Sequence, residues 1–246
     1  MKIIDTKTGN RLNSDGKAIA SKLKETDPLN RDAHKKDELS EHSPMDPPDA
    51  YDKEASNVDG IKYDDLTIAL KILIDEHDEL VKHAEIFEKT LGEFKDTSYL
   101  FTQEINERFN AFFKYFDNHI LPHNRKEERH IFPILHKKLI ESGEHSPTEK
   151  KETAVDLMED DHIKFIQLAS LTFNLLGLAS RLPDLHSRAV TFDLAYHNGK
   201  ELIELLRLHI FREDNTIFPL AQKLLSKDEL VILNEEMANF KGLLYD

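Results

Sequence analysis

Residues 123–133 read HNRKEERHIFP, and residues 209–219 read HIFREDNTIFP. Both copies spell His-x-x-x-Glu and then, five residues after the Glu, Phe-Pro. Positions four apart on a helix share one face, so each copy offers an imidazole nitrogen and a carboxylate oxygen at neighbouring depths. Nitrogen and oxygen donors together are the chemistry of a metal site that suits iron best, with manganese or zinc as substitutes. Two more histidines extend the repeat. His77 stands 46 positions before His123, and His162 stands 47 positions before His209.

The repeat thus offers six candidate metal ligands: His77, His123, Glu127, His162, His209 and Glu213. Two such turns facing each other would enclose a pair of ions, with the carboxylates bridging and the imidazoles terminal. Burying two ionised Glu side chains without a cation would cost several kcal/mol each. A single His-x-x-x-Glu is common by chance, and a lone His on an apolar face is usually a hydrogen-bonded core residue. The matched repetition is what separates this pattern from both. A rival arrangement uses Glu-x-x-His, as in ferritin-like bundles. Glu127 with His130, and Glu159 with His162, fit that string but break the repeat, because Thr216 stands where a second His130 would be.

These residues need helices to hold them. Leu70, Leu73, His77, Leu80, Ala84, Phe87, Leu91 and Phe94 recur at steps of three and four, which predicts a helix from about Asp65 with a histidine inside its apolar stripe. A second helical stretch over about 98–141 places Ile105, Phe109, Phe112, Phe116, His119 and His123 on one side. Pro122 must bend or split it, having no amide hydrogen for the carbonyl of Asn118. Ser146, Pro147 and Glu149 predict the start of a third helix, which aligns Val155, Met158, His162, Phe165, Ala169, Phe173 and Leu176. A fourth covers about 187–225, and the S-K-D-E capping box at 226–229 opens a shorter fifth with Leu230, Leu233, Met237 and Phe240. Pro133 and Pro219 read as a shared helix-bending or helix-ending device. Gly199 either permits a close helix approach or marks where the fourth helix begins. The expected fold is all-α: an antiparallel four-helix bundle over residues 61–246 with a short fifth C-terminal helix. Residues 1–60 are charged, poor in apolar periodicity and carry SPMDPPD, so they read as a polar, largely irregular N-terminal arm.

Composition narrows the partners. A formal charge of −14 argues against nucleic acid and anionic membranes. The absence of Cys excludes disulfides, thiolate zinc sites and cysteine-held clusters. The first residues lack a hydrophobic signal core, and the longest apolar run, 166–180, is interrupted by polar residues, which reads as a cytoplasmic protein.

With EH at 76–77, H-x-x-x-E-E-x-x-x-F-P at 123–133, DH at 161–162 and H-x-x-x-E-D-x-x-x-F-P at 209–219, the chain resembles the hemerythrin-like, or HHE cation-binding, family over about residues 65–225. The resemblance implies an up-and-down four-helix bundle and a non-haem centre of two iron ions, joined by an oxo or hydroxo group, that reacts with dioxygen or nitric oxide. It assigns His77, His123, His162 and His209 as terminal ligands and Glu127 and Glu213 as bridges, with Asp214 as the alternative to Glu213. Oxygen carriers of the family have a fifth His on the third helix, where Met158 and Ile166 stand here. This departure points toward the sensing branches, with an open coordination position that His119 could fill. His83 and His130 fall off the ligand face, and His197 is undecided. Family members that repair iron-sulfur clusters carry a Cys in their N-terminal segment, chemistry that this arm cannot perform.

Three functions compete. One is a module that binds or senses dioxygen or nitric oxide, its pocket kept dry by Phe116, Phe165 and Ile166. Another is a redox enzyme consuming peroxide or nitric oxide with an electron-transfer partner. The last is a helical interaction module fastened by a structural metal.

Overall fold

The computed structural model describes residues 61–147 and 149–240. The expected N-terminal arm lies outside the described residues, which are helical and include no strand. After a short 3₁₀ turn at Tyr63–Asp65 come α1 (Ile68–Asp96), α2 (Gln103–Tyr115), α3 (Leu121–Lys126), α4 (Phe132–Ser142), α5 (Ala154–Ala179), α6 (Leu185–Arg212), α7 (Phe218–Leu224) and α8 (Lys227–Asn239). No helix among the described residues is long and apolar enough to cross a membrane.

The segments α2, α3 and α4 are joined without a loop by π-helical turns at Phe116–Ile120 and Glu127–Ile131, and α6 joins α7 through a third at Glu213–Ile217. Each π turn ends two residues before a proline: Pro122, Pro133 or Pro219. Proline cannot donate to the carbonyl four residues back, and its ring crowds that carbonyl. In all three places the residue before the proline donates its amide five residues back instead. Leu121 N–H reaches Phe116 O, Phe132 N–H reaches Glu127 O, and Phe218 N–H reaches Glu213 O. The helices therefore widen and continue, and neither Pro133 nor Pro219 ends one.

The extra residue in a π turn also rotates the face of the helix beyond it. Buried positions run Phe109, Phe112, Phe116 and then Ile120, while His119 is turned out to solvent. The expected α1 stripe is buried throughout. On α5, however, Thr172 takes the inward place given to Phe173, which is 56% exposed. That helix also starts later than Ser146 suggests. Its N-cap is Thr153, whose side chain accepts from Val155 N–H while its own amide donates to Asp156. Ser146 instead takes the Glu152 amide at 2.9 Å, closing the loop before the helix. The capping box of Ser226 and Glu229 stands as expected at α8.

Side-chain contacts fix the order in which the helices meet. Glu93, Phe87 and Glu76 of α1 meet Arg108, Phe112 and His123 respectively. Phe94, Glu88 and His77 meet Phe192, Lys200 and Asp214. Phe113, Glu128 and His136 meet Phe173, His162 and Thr153. Gly199 lies within α6, so it does not mark that helix's start. A Cβ there would stand 2.8 Å from Leu91 Cδ1, which makes Gly199 a point of close approach to α1.

Two apolar clusters fill the interior, and the candidate ligands lie between them. Along α1 the sequence passes from Leu73 in one cluster through His77 to Leu80 in the other. The same crossing occurs from Met158 through His162 to Phe165, from Ile120 through His123 and Glu127 to Ile131, and from Leu206 through His209 and Glu213 to Ile217. One polar layer thus divides the core.

Candidate metal centre

All six sequence-derived ligands are in that layer, and Glu127 and Glu213 have no exposed surface. They form two overlapping groups: His77, His123, Glu127 and Glu213, and Glu127, His162, His209 and Glu213. Within each group the candidate ligand atoms lie within 4.8 Å of one another. The two carboxylates belong to both groups.

Atom by atom, the arrangement is twofold. Nε2 of His77 lies 2.9 Å from Nε2 of His123, and Nε2 of His162 lies 3.1 Å from Nε2 of His209. Glu213 turns Oε2 to His77 and Oε1 to His209, both at 3.2 Å. Glu127 turns Oε1 to His123 at 3.4 Å and Oε2 to His162 at 3.5 Å. Each carboxylate therefore shows one oxygen to each imidazole pair.

None of these four oxygens has a hydrogen-bond partner. Orphaned buried carboxylate oxygens are costly and call for a missing partner. Two ligand atoms at ~2.1 Å from one cation and near a right angle stand ~3.0 Å apart, the separation of each imidazole pair. The residues fit a cation on each side of the Glu pair.

The outward nitrogens are held by a second ring of carboxylates. His77 Nδ1 is 2.8 Å from Asp214, His123 Nδ1 is 2.8 Å from Glu76, and His162 Nδ1 is 2.8 Å from Glu128. With the proton on Nδ1, the ring donates outward and keeps its Nε2 lone pair for the centre. His209 is looser: its Nδ1 stands 3.6 Å from Asp161, a carboxylate also held by Arg212 at 3.1 Å. Glu76 and Lys126 form a further ion pair at the rim. The phenyl rings of the Phe-Pro pairs cover the imidazoles, Phe218 stacking on His77 and Phe132 on His162, while Phe165 sets its ring edge-on to His209.

Several other histidines resolve. Asp214 serves His77 from outside, so Glu213 holds the inner place. His119 is an exposed ring stacked on Tyr115 and belongs to neither group. His83 stacks on the same tyrosine. His130 pairs with Glu236, and Glu159 is outside both groups, so the ferritin-like alternative does not assemble. His197 is at the surface, 3.5 Å from Asp193. Of the two places for a fifth His, Met158 is buried, but Ile166 is 48% exposed and cannot line a pocket as expected. Helical spacing alone gives Glu76, Glu128 and Asp161 no role. A signal for them is nonetheless present, since an acid adjoins a candidate ligand in each of the four motif pieces.

Without a cation the layer is a cluster of acids and imidazoles that adjust to one another. Burial alone would favour neutral imidazoles, but the carboxylates outweigh it. Asp214 and Glu213 raise His77 well above the usual histidine range, Glu127 and Glu76 raise His123, and Glu213 with Asp161 raises His209 to about 9. Glu213 is in turn held well below the usual carboxylate range, since the pull of His209 and His77 outweighs its burial. A metal must displace these protons. Raised histidine pKa values stabilise the metal-free fold below about pH 6.5, and that contribution is lost as pH rises through about 9. Metal binding therefore strengthens over this window, by about tenfold per pH unit for each proton released. Calorimetric titration in buffers of different ionisation enthalpy should detect the protons, and pH-independent affinity would contradict the geometry.

Comparison with curated proteins finds no significant match, and comparison with solved structures finds none either. The sequence profile of the hemerythrin HHE cation binding domain matches residues 68–221, a span that begins with α1, ends in α7 and contains every member of the two groups. The chain belongs to the hemerythrin HHE cation-binding family.

Proposed function

We propose that the chain is an antiparallel up-and-down four-helix bundle holding a carboxylate-bridged pair of iron ions, and that it binds or senses dioxygen or nitric oxide. One observation carries this reading: Glu127 and Glu213 each aim one oxygen at each imidazole pair, which is how a carboxylate links two metal ions. Iron in that place would supply reversible one-electron chemistry toward small diatomic gases.

The chain's own residues do the rest. Asp214, Glu76 and Glu128 lock three imidazoles in orientation. Phe132, Phe165 and Phe218 press against the rings of His162, His209 and His77, and Phe116 is buried in the cluster beyond them, so water is kept from that part of the layer, while a cavity reaches His123. With neither Met158 nor Ile166 offering an imidazole, four histidines and two shared carboxylates leave coordination capacity for an external ligand.

Mössbauer spectroscopy of protein isolated without added metal tests the iron, and rapid mixing of the reduced protein with dioxygen or nitric oxide tests the ligand. A spectroscopically distinct adduct is expected. The absence of any adduct or nitrosyl would remove the proposal, and sustained consumption of peroxide or nitric oxide with an electron donor would reassign the chain as a redox enzyme.

A further inference from the structure

The outer face of α5 carries five exposed large apolar side chains between Ile163 and Leu178. Ile163, Ile166 and Phe173 are 54%, 48% and 56% exposed, and Leu171 and Leu178 are 46% and 47% exposed. Ile163, Ile166, Ser170, Phe173 and Gly177 keep steps of three and four, the spacing of a helix–helix seam. The inward face already fills the core with Val155, Met158, Phe165, Ala169 and Leu176. Large apolar side chains on the outer side as well as the inner, even with Lys164, Gln167 and Asn174 among them, make a face that is ordinarily covered.

Gly177, in the last turn of α5, leaves the end of the stripe flat, since a Cβ there would meet nothing within 4 Å among the described residues. Gly199 differs, being pressed against Leu91. Gly92 is also open, but it sits among Glu88, Lys89, Lys95 and Asp96 and not on an apolar stripe. On α6, Leu185, Val190 and Leu194 are also exposed, at 78%, 49% and 50%.

We infer that this face is where two copies of the chain associate, α5 packing against α5 of a second copy about a twofold axis. The stripe is self-complementary when reversed. Centred on Ser170, it sets Ile163 of one copy over Gly177 of the other and Ile166 over Phe173, with small Ser170 allowing close approach at the axis. The stripe from Ile163 to Leu178 is about 23 Å long and would form the apolar centre of the contact, with part of α6 covered as well to reach the ~800 Å² per partner of a stable dimer. Residues 1–60 of the same chain are poor in apolar periodicity to match it. A charge of −14 disfavours an anionic membrane, and it makes two copies repel until salt screens them, so the dimer tightens as ionic strength rises.

Light scattering on the full-length, metal-loaded protein across micromolar concentrations tests this. A species of twice the 28.5 kDa chain mass is expected, and Ile166→Asp with Leu178→Asp should raise its dissociation midpoint more than tenfold without changing the circular dichroism. A wild-type chain that stays monomeric at every concentration and salt overturns the inference, as does a dimer that survives both substitutions. Should the variants misfold, Ser170→Cys in this cysteine-free chain gives a separate reading. Oxidation should yield a covalent dimer, and failure to do so where Gly92→Cys crosslinks equally well or better overturns the proposed face.

Discussion

Stripping the cation from the loaded protein should lower its thermal midpoint by roughly 10 °C. The basis is the layer between the two apolar clusters, where four carboxylate oxygens of Glu127 and Glu213 are buried without a hydrogen-bond partner. A ligand bound only by the folded chain stabilises it by ~4 kcal/mol at a thousand times its dissociation constant. For a domain of this size each kcal/mol corresponds to about 2–4 °C. The metal-free chain is expected to keep most of its helical signal, because Leu73, Ile131, Phe132 and Phe218 on one side and Leu80, Ile120, Phe165 and Leu206 on the other remain packed. Scanning calorimetry with and without a chelator measures the difference, and a shift within about 2 °C would mean that the layer does not need a metal.

How far the sequence reveals this arrangement depends on the kind of signal. The six inner side chains are legible because helical spacing and an internal repeat, two independent patterns, place them on facing helix turns. The carboxylates at 76, 128 and 161 are equally visible as letters, but assigning them requires knowing which imidazole each reaches, and all three reach across to another helix. Periodicity misplaces His119 because a 3.6-residue period does not anticipate the extra residue of the π turn before Pro122. Phe173 reads as core because a half-exposed phenylalanine at helical spacing looks like a buried one; it lies at the edge of the interface, touching Phe113 of α2, while Thr172 takes the inward place. The start of α5 is misplaced because S-P-T-E at 146–149 satisfies capping preferences locally, whereas the loop that Ser146 closes runs on to the N-cap at Thr153.

The same layer makes its sharpest demand on two neighbouring acids. Glu213 and Asp214 are adjacent in the chain and both touch His77, but from opposite sides of its ring: Glu213 at Nε2, Asp214 at Nδ1. Replacing Glu213 by Gln removes the charge and leaves only one oxygen, so the side chain can no longer face both imidazole pairs. For the proposed pair of iron ions, bound metal should fall from two per chain toward one, with an affinity loss beyond the 10–100-fold typical of outer-ring substitutions. Replacing Asp214 by Asn leaves the inner oxygens of Glu213 in place and weakens only the orientation and basicity of His77. Two ions should still bind, with affinity reduced about 10–100-fold. Metal analysis after equilibrium dialysis separates the two outcomes. If Asp214→Asn loses an ion while Glu213→Gln keeps both, then the aspartate is the bridging acid and the inner and outer roles of these two neighbours must be exchanged.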